Sequence, residues 1–172
     1  RPSIIPVRLL PPGGSLQPGD PMPNAFLVVD DSKLHHQMYK VVFSRGKLAG
    51  STVHYATNGR EGYTLLAAHR ELTLVFLDLN MPEMNGYEVC EHLKADDRLK
   101  GIPIIFISGL TEQLDKVKAF SCGGVDYLTK PFQMEELHAR VETHLKLRRL
   151  QLELEEYSHF GMVCRYAAGA AR

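Results

Sequence analysis

The chain has 172 residues, 44% of them hydrophobic and 23% charged, the balance of a globular protein with one ordinary domain and tails. Twenty basic side chains meet twenty acidic ones, so no basic footprint marks nucleic acid as a partner and none is expected. No run reaches the roughly 18 apolar residues of a membrane span, and no charged-then-apolar leader opens the sequence, so a cytoplasmic protein without a membrane partner is expected.

In chain order, residues 1–24 come first, with seven of the ten prolines and with Gly13, Gly14 and Gly19. Proline removes backbone donors and glycine raises the entropy cost of ordering, so a flexible or extended tail is predicted there. From Ala25 short apolar runs alternate with helical patterns. AFLVV (25–29), VHYA (53–56), LVFLDL (74–79), PIIFIS (103–108) and VDYL (125–128) are rich in β-branched and aromatic residues and have strand length. Between them Lys33 to Leu48, Arg60 to Arg70, Tyr87 to Ala95 and Glu112 to Phe120 space apolar residues three or four apart, with Asn85-Gly86 and Thr111 as helix starts. Strands alternating with helices predict an α/β fold, a parallel sheet covered on both faces, which is why its central strands are apolar without alternation.

After Phe132 the helical pattern continues to Phe160. Leu137, Val141 and Leu145 can face the sheet. Leu147, Leu150, Leu154 and Tyr157 then recur at 3, 4, 3 spacing, a short coiled-coil stripe over a 147–160 extension that could pair two copies; a solvated helix is the alternative. Residues 161–172 carry no motif and read as a tail. Cys90, Cys122 and Cys164 are odd in number and never spaced as CxxC, so they read as reduced thiols. The eight histidines lack the i, i+4 spacing of a helical metal pair and read as surface residues.

What breaks the apolar pattern is its ends. Strand one ends in Asp30-Asp31, strand three in Asp78, strand four in Ser108, and Lys130 follows strand five. In a parallel sheet these project from one edge, where ligands bind. Three carboxylates side by side repel unless a cation sits among them, and a hard divalent ion of magnesium type resolves that repulsion. With Lys130 and the Ser108 hydroxyl, the pocket suits a phosphoryl group on or beside a carboxylate. Taken singly, Asp30-Asp31 is a helix N-cap, Ser108 a strand terminus and Lys130-Pro131 a turn, but their joint order favours function; for Tyr127 a half-buried core tyrosine and a moving switch are equal alternatives.

VVDDS, LDLNMPEMNG, ISG and DYLTKPF, with 30 residues from Asp78 to Ser108 and 22 from Ser108 to Lys130, resemble the receiver domain of two-component response regulators over residues 25–146. The resemblance implies a flavodoxin-like, doubly wound sheet of five parallel strands in order 2-1-3-4-5 with five helices, the last extended. It implies that Asp78 accepts a phosphoryl group from a sensor histidine kinase or phosphotransfer protein and that Mg2+ is the cofactor. Asp31 and Asp78 would hold the ion directly, Asp30 partly through water, and the Asn80 backbone carbonyl would add a ligand. Ser108 and Tyr127 would be the switch pair, and Lys130-Pro131 a cis peptide. The 47 residues from Asp31 to Asp78 are a few more than compact receivers have, with RGKLAGST as the place of the insertion.

Such a chain would be a signalling phosphoacceptor, not an enzyme, catalysing only its own phosphorylation and dephosphorylation. A receiver fragment of a larger protein with a cyclase or hybrid-kinase output is one alternative. An aspartyl-phosphate phosphatase is another, although Asn80 stands where that chemistry wants a second Asp. An FMN site is disfavoured because Asp30-Asp31 would repel the phosphate.

Overall fold

Five apolar runs form the strands of the computed structural model: β1 (Ala25–Val29), β2 (Thr52–Ala56), β3 (Leu74–Asp78), β4 (Ile104–Ser108) and β5 (Asp126–Thr129). The structure describes residues 24–69, 71–109 and 115–169, with backbone alone over 162–169. All neighbouring strands are parallel, in the order β2-β1-β3-β4-β5. β1, β3 and β4 are buried along their whole length, as strands covered on both faces must be.

The helices are α1 (Lys33–Phe43), α2 (Gly59–Ala68), α3 (Gly86–Ala95), α4 (Lys116–Ser121) and α5 (Met134–Gly169). Strand alternation sorts the core into two layers. Phe26, Val28, Leu74, Phe76, Ile105 and Ile107 pack with Tyr39 and Phe43 of α1 and Leu137 and Val141 of α5. Leu27, Val29, Val75, Leu77 and Phe106 pack on the other face with Leu66 of α2, Val89 and Leu93 of α3 and Ala119 of α4.

Two boundaries differ from expectation, and two expected features lie outside the described residues. The first helix stops at Phe43, and a separate 3-10 turn, Gly46–Leu48, follows because Gly46 takes a positive φ of 64° that an α-helix does not allow. Thr111 and Glu112, expected to start the fourth helix, lie outside the described residues; α4 is capped at Lys116 by Asp115, whose carboxylate accepts the Lys118 N–H. α5 runs on to Gly169, 36 residues in all, with no break at 146 or 160. The proline-rich stretch lies outside the described residues up to residue 23.

The histidines also differ. His36 is buried, and His54 and His144 are mostly covered, because neighbouring elements close over them. His36 donates from Nε2 to the Asp30 carbonyl at 2.7 Å and lies against Tyr55; His144 meets Asp126 at 3.0 Å. No helix among the described residues is long and apolar enough to cross a membrane.

Candidate functional site

The pairing register places the site. Phe26 sits beside Leu74 and Val28 beside Phe76, so two residues further on Asp30 stands beside Asp78 on the same face of the sheet. Asp78 is level with Ile107 of β4, and Lys130, two past Leu128, shares that face from β5. Asp30 is 1% exposed and Asp78 5%, so two carboxylates are buried within one step of each other.

Lys130 holds them together. Its ammonium lies 2.9 Å from Asp30 Oδ2, 3.1 Å from Asp78 Oδ2 and 2.9 Å from His35 Nδ1. Two of its hydrogens go to the carboxylates, and the third meets the His35 ring nitrogen only in the tautomer that leaves Nδ1 bare. His35, one turn into α1, also brings Nδ1 within 3.0 and 3.1 Å of the Asp30 oxygens. A single ring nitrogen cannot both accept from the lysine and donate to the carboxylate, so the space around Asp30 is crowded. The Ser32 N–H completes that crowding with a 2.8 Å bond to Asp30 Oδ1.

Burial pushes the Asp78 carboxyl up to about 6, the negative Asp30 adds to this, and Lys130 and the Asn80 N–H pull against it. Burial also acts on Asp30, but the bonds from Lys130, Ser32 and His35 outweigh it and hold Asp30 below its ordinary value. Of the pair, Asp30 keeps its charge more firmly. Two carboxylates against one ammonium leave a net negative charge in a dry place.

The rim is shaped by the segment after β3. The Asn80 N–H donates to Asp78 Oδ1 at 3.1 Å, and the Gly86 N–H returns to the Leu79 carbonyl at 3.0 Å. A Cβ on Gly86 would stand 2.4 Å from the Asp78 carbonyl oxygen, so only glycine lets α3 start this close to the strand end. Asn85 and Glu88 form a reciprocal capping box behind it. Lys130-Pro131 is cis, as expected, and the Lys130 N–H bonds the Ser108 carbonyl at 2.7 Å.

Of the residues expected in the site, Asp30, Asp78 and Lys130 meet directly. Asp31 falls on the opposite side of the alternation, is exposed, and makes no hydrogen bond or ion pair among the described residues. Asn80 is exposed and enters through its N–H. Ser108 is buried but alternates with Ile104 and Phe106, so it shares the α4 face with Tyr127, whose partner across the strands is Phe106. Tyr127 is half-buried, with Phe120 of α4 edge-on at 6.3 Å and the Lys116 ammonium 5.1 Å above its ring.

His35 was missed in the sequence, because nothing in HH distinguishes a histidine turned back over the strand end from one turned to solvent. Its ring joins Asp30 and Asp78 in a group whose ligand atoms all lie within 4.8 Å of one another. The donor set suits magnesium in its two carboxylates, which carry the uncompensated charge, and less in the His35 nitrogen.

Comparison with known proteins shows the family. Residues 26–142 match the model of the response regulator receiver domain. The chain is 35% identical over 125 residues to the DNA-binding dual master transcriptional regulator RpaA of Synechocystis sp., covering 73% of this chain and 50% of that protein. It is 39% identical over 146 residues to the DNA-binding response regulator MtrA of Mycolicibacterium smegmatis, covering 84% and 59%. Among solved structures, the signal receiver domain of a signal transduction histidine kinase from Syntrophus aciditrophicus superposes with a TM-score of 0.63 at 32% identity, over 72% of this chain and 90% of that one. The chain spans about half the length of the curated relatives it matches.

Proposed function

The chain belongs to the response regulator receiver domain family, and from that premise we propose that Asp78 is its phosphoacceptor, loaded by a sensor histidine kinase or a phosphotransfer protein. The observation that carries this is the buried Asp30–Lys130–Asp78 arrangement, whose negative charge exceeds its positive charge. A purely structural ion pair would gain nothing from a second buried carboxylate that raises the pKa of the first.

The reaction asks little of the protein beyond alignment. An Asp78 oxygen forms a bond to phosphorus as the phosphorus–nitrogen bond of the donor phosphohistidine breaks, and the imidazole nitrogen leaves with the electron pair. No general base is required above pH 6, where Asp78 is mostly ionised. Lys130, held between the carboxylates, offers its charge to the phosphoryl oxygens, as a loose transition state requires. Asp31, Asp78 and the Asn80 carbonyl are the proposed Mg2+ ligands, with Asp30 reaching the ion partly through water. When bound, the ion supplies charge neutralisation and orients the phosphoryl oxygens.

Ser108 and Tyr127 are proposed as the switch, since both lie on the α4 face and a hydroxyl drawn toward Asp78 would disturb the packing of Tyr127 on α4. The exposed leucines of α5 are the proposed self-association surface. The expectation of no nucleic-acid partner rests on the neutral charge of these 172 residues and speaks for them alone.

Intact mass after incubation with acetyl phosphate and Mg2+ tests the reading. Gain of one phosphoryl group by the wild type only when metal is present, and none by Asp78→Asn, is expected. Equal labelling of Asp78→Asn, or no labelling where a known receiver is labelled, overturns it.

A further inference from the structure

A second group of ligand atoms lies at the other end of the sheet. His54 is the middle residue of the edge strand β2, His69 caps the C-terminal end of α2, and Glu71 follows in the return to β3. Thr73, two residues on, bonds the carbonyl of Ala25, the first residue of β1, so the group sits toward the strand starts and away from Asp78. His54, His69 and Glu71 each offer a ligand atom within 4.8 Å of the other two.

Glu71 Oε1 lies 2.9 Å from His69 Nδ1 and 3.8 Å from His54 Nε2, and the two rings are tilted by 34° with centroids 4.1 Å apart. A hydrogen-bonded pair accounts for His69 and Glu71. It does not account for His54, whose Nε2 is buried and has no hydrogen-bond partner although it is directed at the same carboxylate. An unpartnered buried ring nitrogen is costly.

We propose that His54, His69 and Glu71 bind a late divalent transition-metal ion of the zinc class, distinct from the magnesium pocket. Two imidazole nitrogens and one carboxylate are a donor set such ions accept and Mg2+ does not favour. With bonds of about 2.0–2.1 Å, ligand atoms around a tetrahedral ion stand about 3.3 Å apart. The separations of 2.9 and 3.8 Å from Glu71 to the two histidines straddle that value, and the two imidazole nitrogens lie within 4.8 Å of each other. Three protein ligands leave the fourth position open to water or to a group from another molecule. The ion would tie the edge strand to the end of α2 and the loop before β3.

The test is calorimetric titration of the full chain with ZnCl2 in excess Mg2+, which occupies the phosphoryl pocket, run beside Glu71→Gln, His69→Ala and Asp78→Asn. Glu71 is 44% exposed, so its replacement by Gln leaves the fold intact, and circular dichroism checks the others. One equivalent of zinc is expected, weakened about tenfold or more in Glu71→Gln and His69→Ala and unchanged in Asp78→Asn. The His54 and His69 ring resonances should shift together with zinc uptake. Zinc affinity equal in wild type, Glu71→Gln and His69→Ala, loss of uptake in Asp78→Asn alone, or no uptake by folded wild type overturns the proposal.

Discussion

The pocket around Asp78 and the outer half of α5 break the same rule in opposite directions. In the pocket, two carboxylates and an ammonium are taken out of water; along the helix, Leu154 and Tyr157 remain 69% and 78% exposed. The inner half of the same helix is ordinary: Leu137 and Val141 are fully buried, and Arg140 and His144 clamp Asp126 of β5. A folded chain bears such departures at a cost, in desolvated charge in one place and hydrated apolar surface in the other. On the proposed function each would be relieved by something from outside the chain: a cation and a phosphoryl group in the pocket, another apolar surface on the helix.

The largest effect expected is that of Lys130→Ala. Removing the ammonium leaves Asp30 and Asp78 facing each other unneutralised, and breaking a buried pair in this way costs about 3–5 kcal/mol. Urea unfolding at neutral pH without divalent ions measures it. A loss below about 0.5 kcal/mol, the range of an ordinary surface substitution, would mean that the carboxylates are neutralised by something else.

Asp78→Asn should act with the opposite sign. The folded-state pKa of Asp78 is raised from 3.8 to about 6, so its favourable contribution is complete below pH 3.8 and is lost as pH climbs through 6. Above that point the wild type carries a penalty on the order of 3 kcal/mol that the amide does not. The variant is therefore expected to be the more stable protein at pH 7.5 in metal-free urea, and the gap should close as pH falls from 6 to 4. Added Mg2+ should narrow the gap from the other side by stabilising the wild type. A gap that persists in acid would place the effect in packing and not in charge.

How far these regions could be read from residues differs for physical reasons. The five strands and the convergence of Asp30, Asp78 and Lys130 are legible because a buried strand must be apolar on both faces and a charge at its end is conspicuous. The register that selects Asp30 over Asp31 is not, since one residue of slip exchanges the faces and only the pairing of Val28 with Phe76 fixes it. His35 joins the pocket because α1 turns back over β1 after Ser32 caps it, a tertiary fact that a local pattern does not carry. His54, His69 and Glu71 meet only because α2 returns antiparallel to its strand. The continuation of α5 past Phe160 was missed for another reason: the leucine stripe ends at Tyr157, while the helix runs on to Gly169.

The smallest expected change in stability belongs to the helix and is the more informative for being small. Leu150 and Leu154 lie on the stripe running from Leu147 to Tyr157, beyond the reach of the sheet. Replacing both by Ser removes apolar surface that is already in water, so monomer stability should move by no more than about 0.5 kcal/mol per site. What should change is self-association: sedimentation is expected to show a concentration-dependent dimer for the wild type and a monomer for the double variant, because leucines in an a/d-like seam stabilise a coiled coil only when a second helix covers them. A double variant that lost several kcal/mol while both proteins sedimented as monomers would show that the stripe packs within its own chain. The far half of α5 would then be core, and the pocket alone would await something from outside.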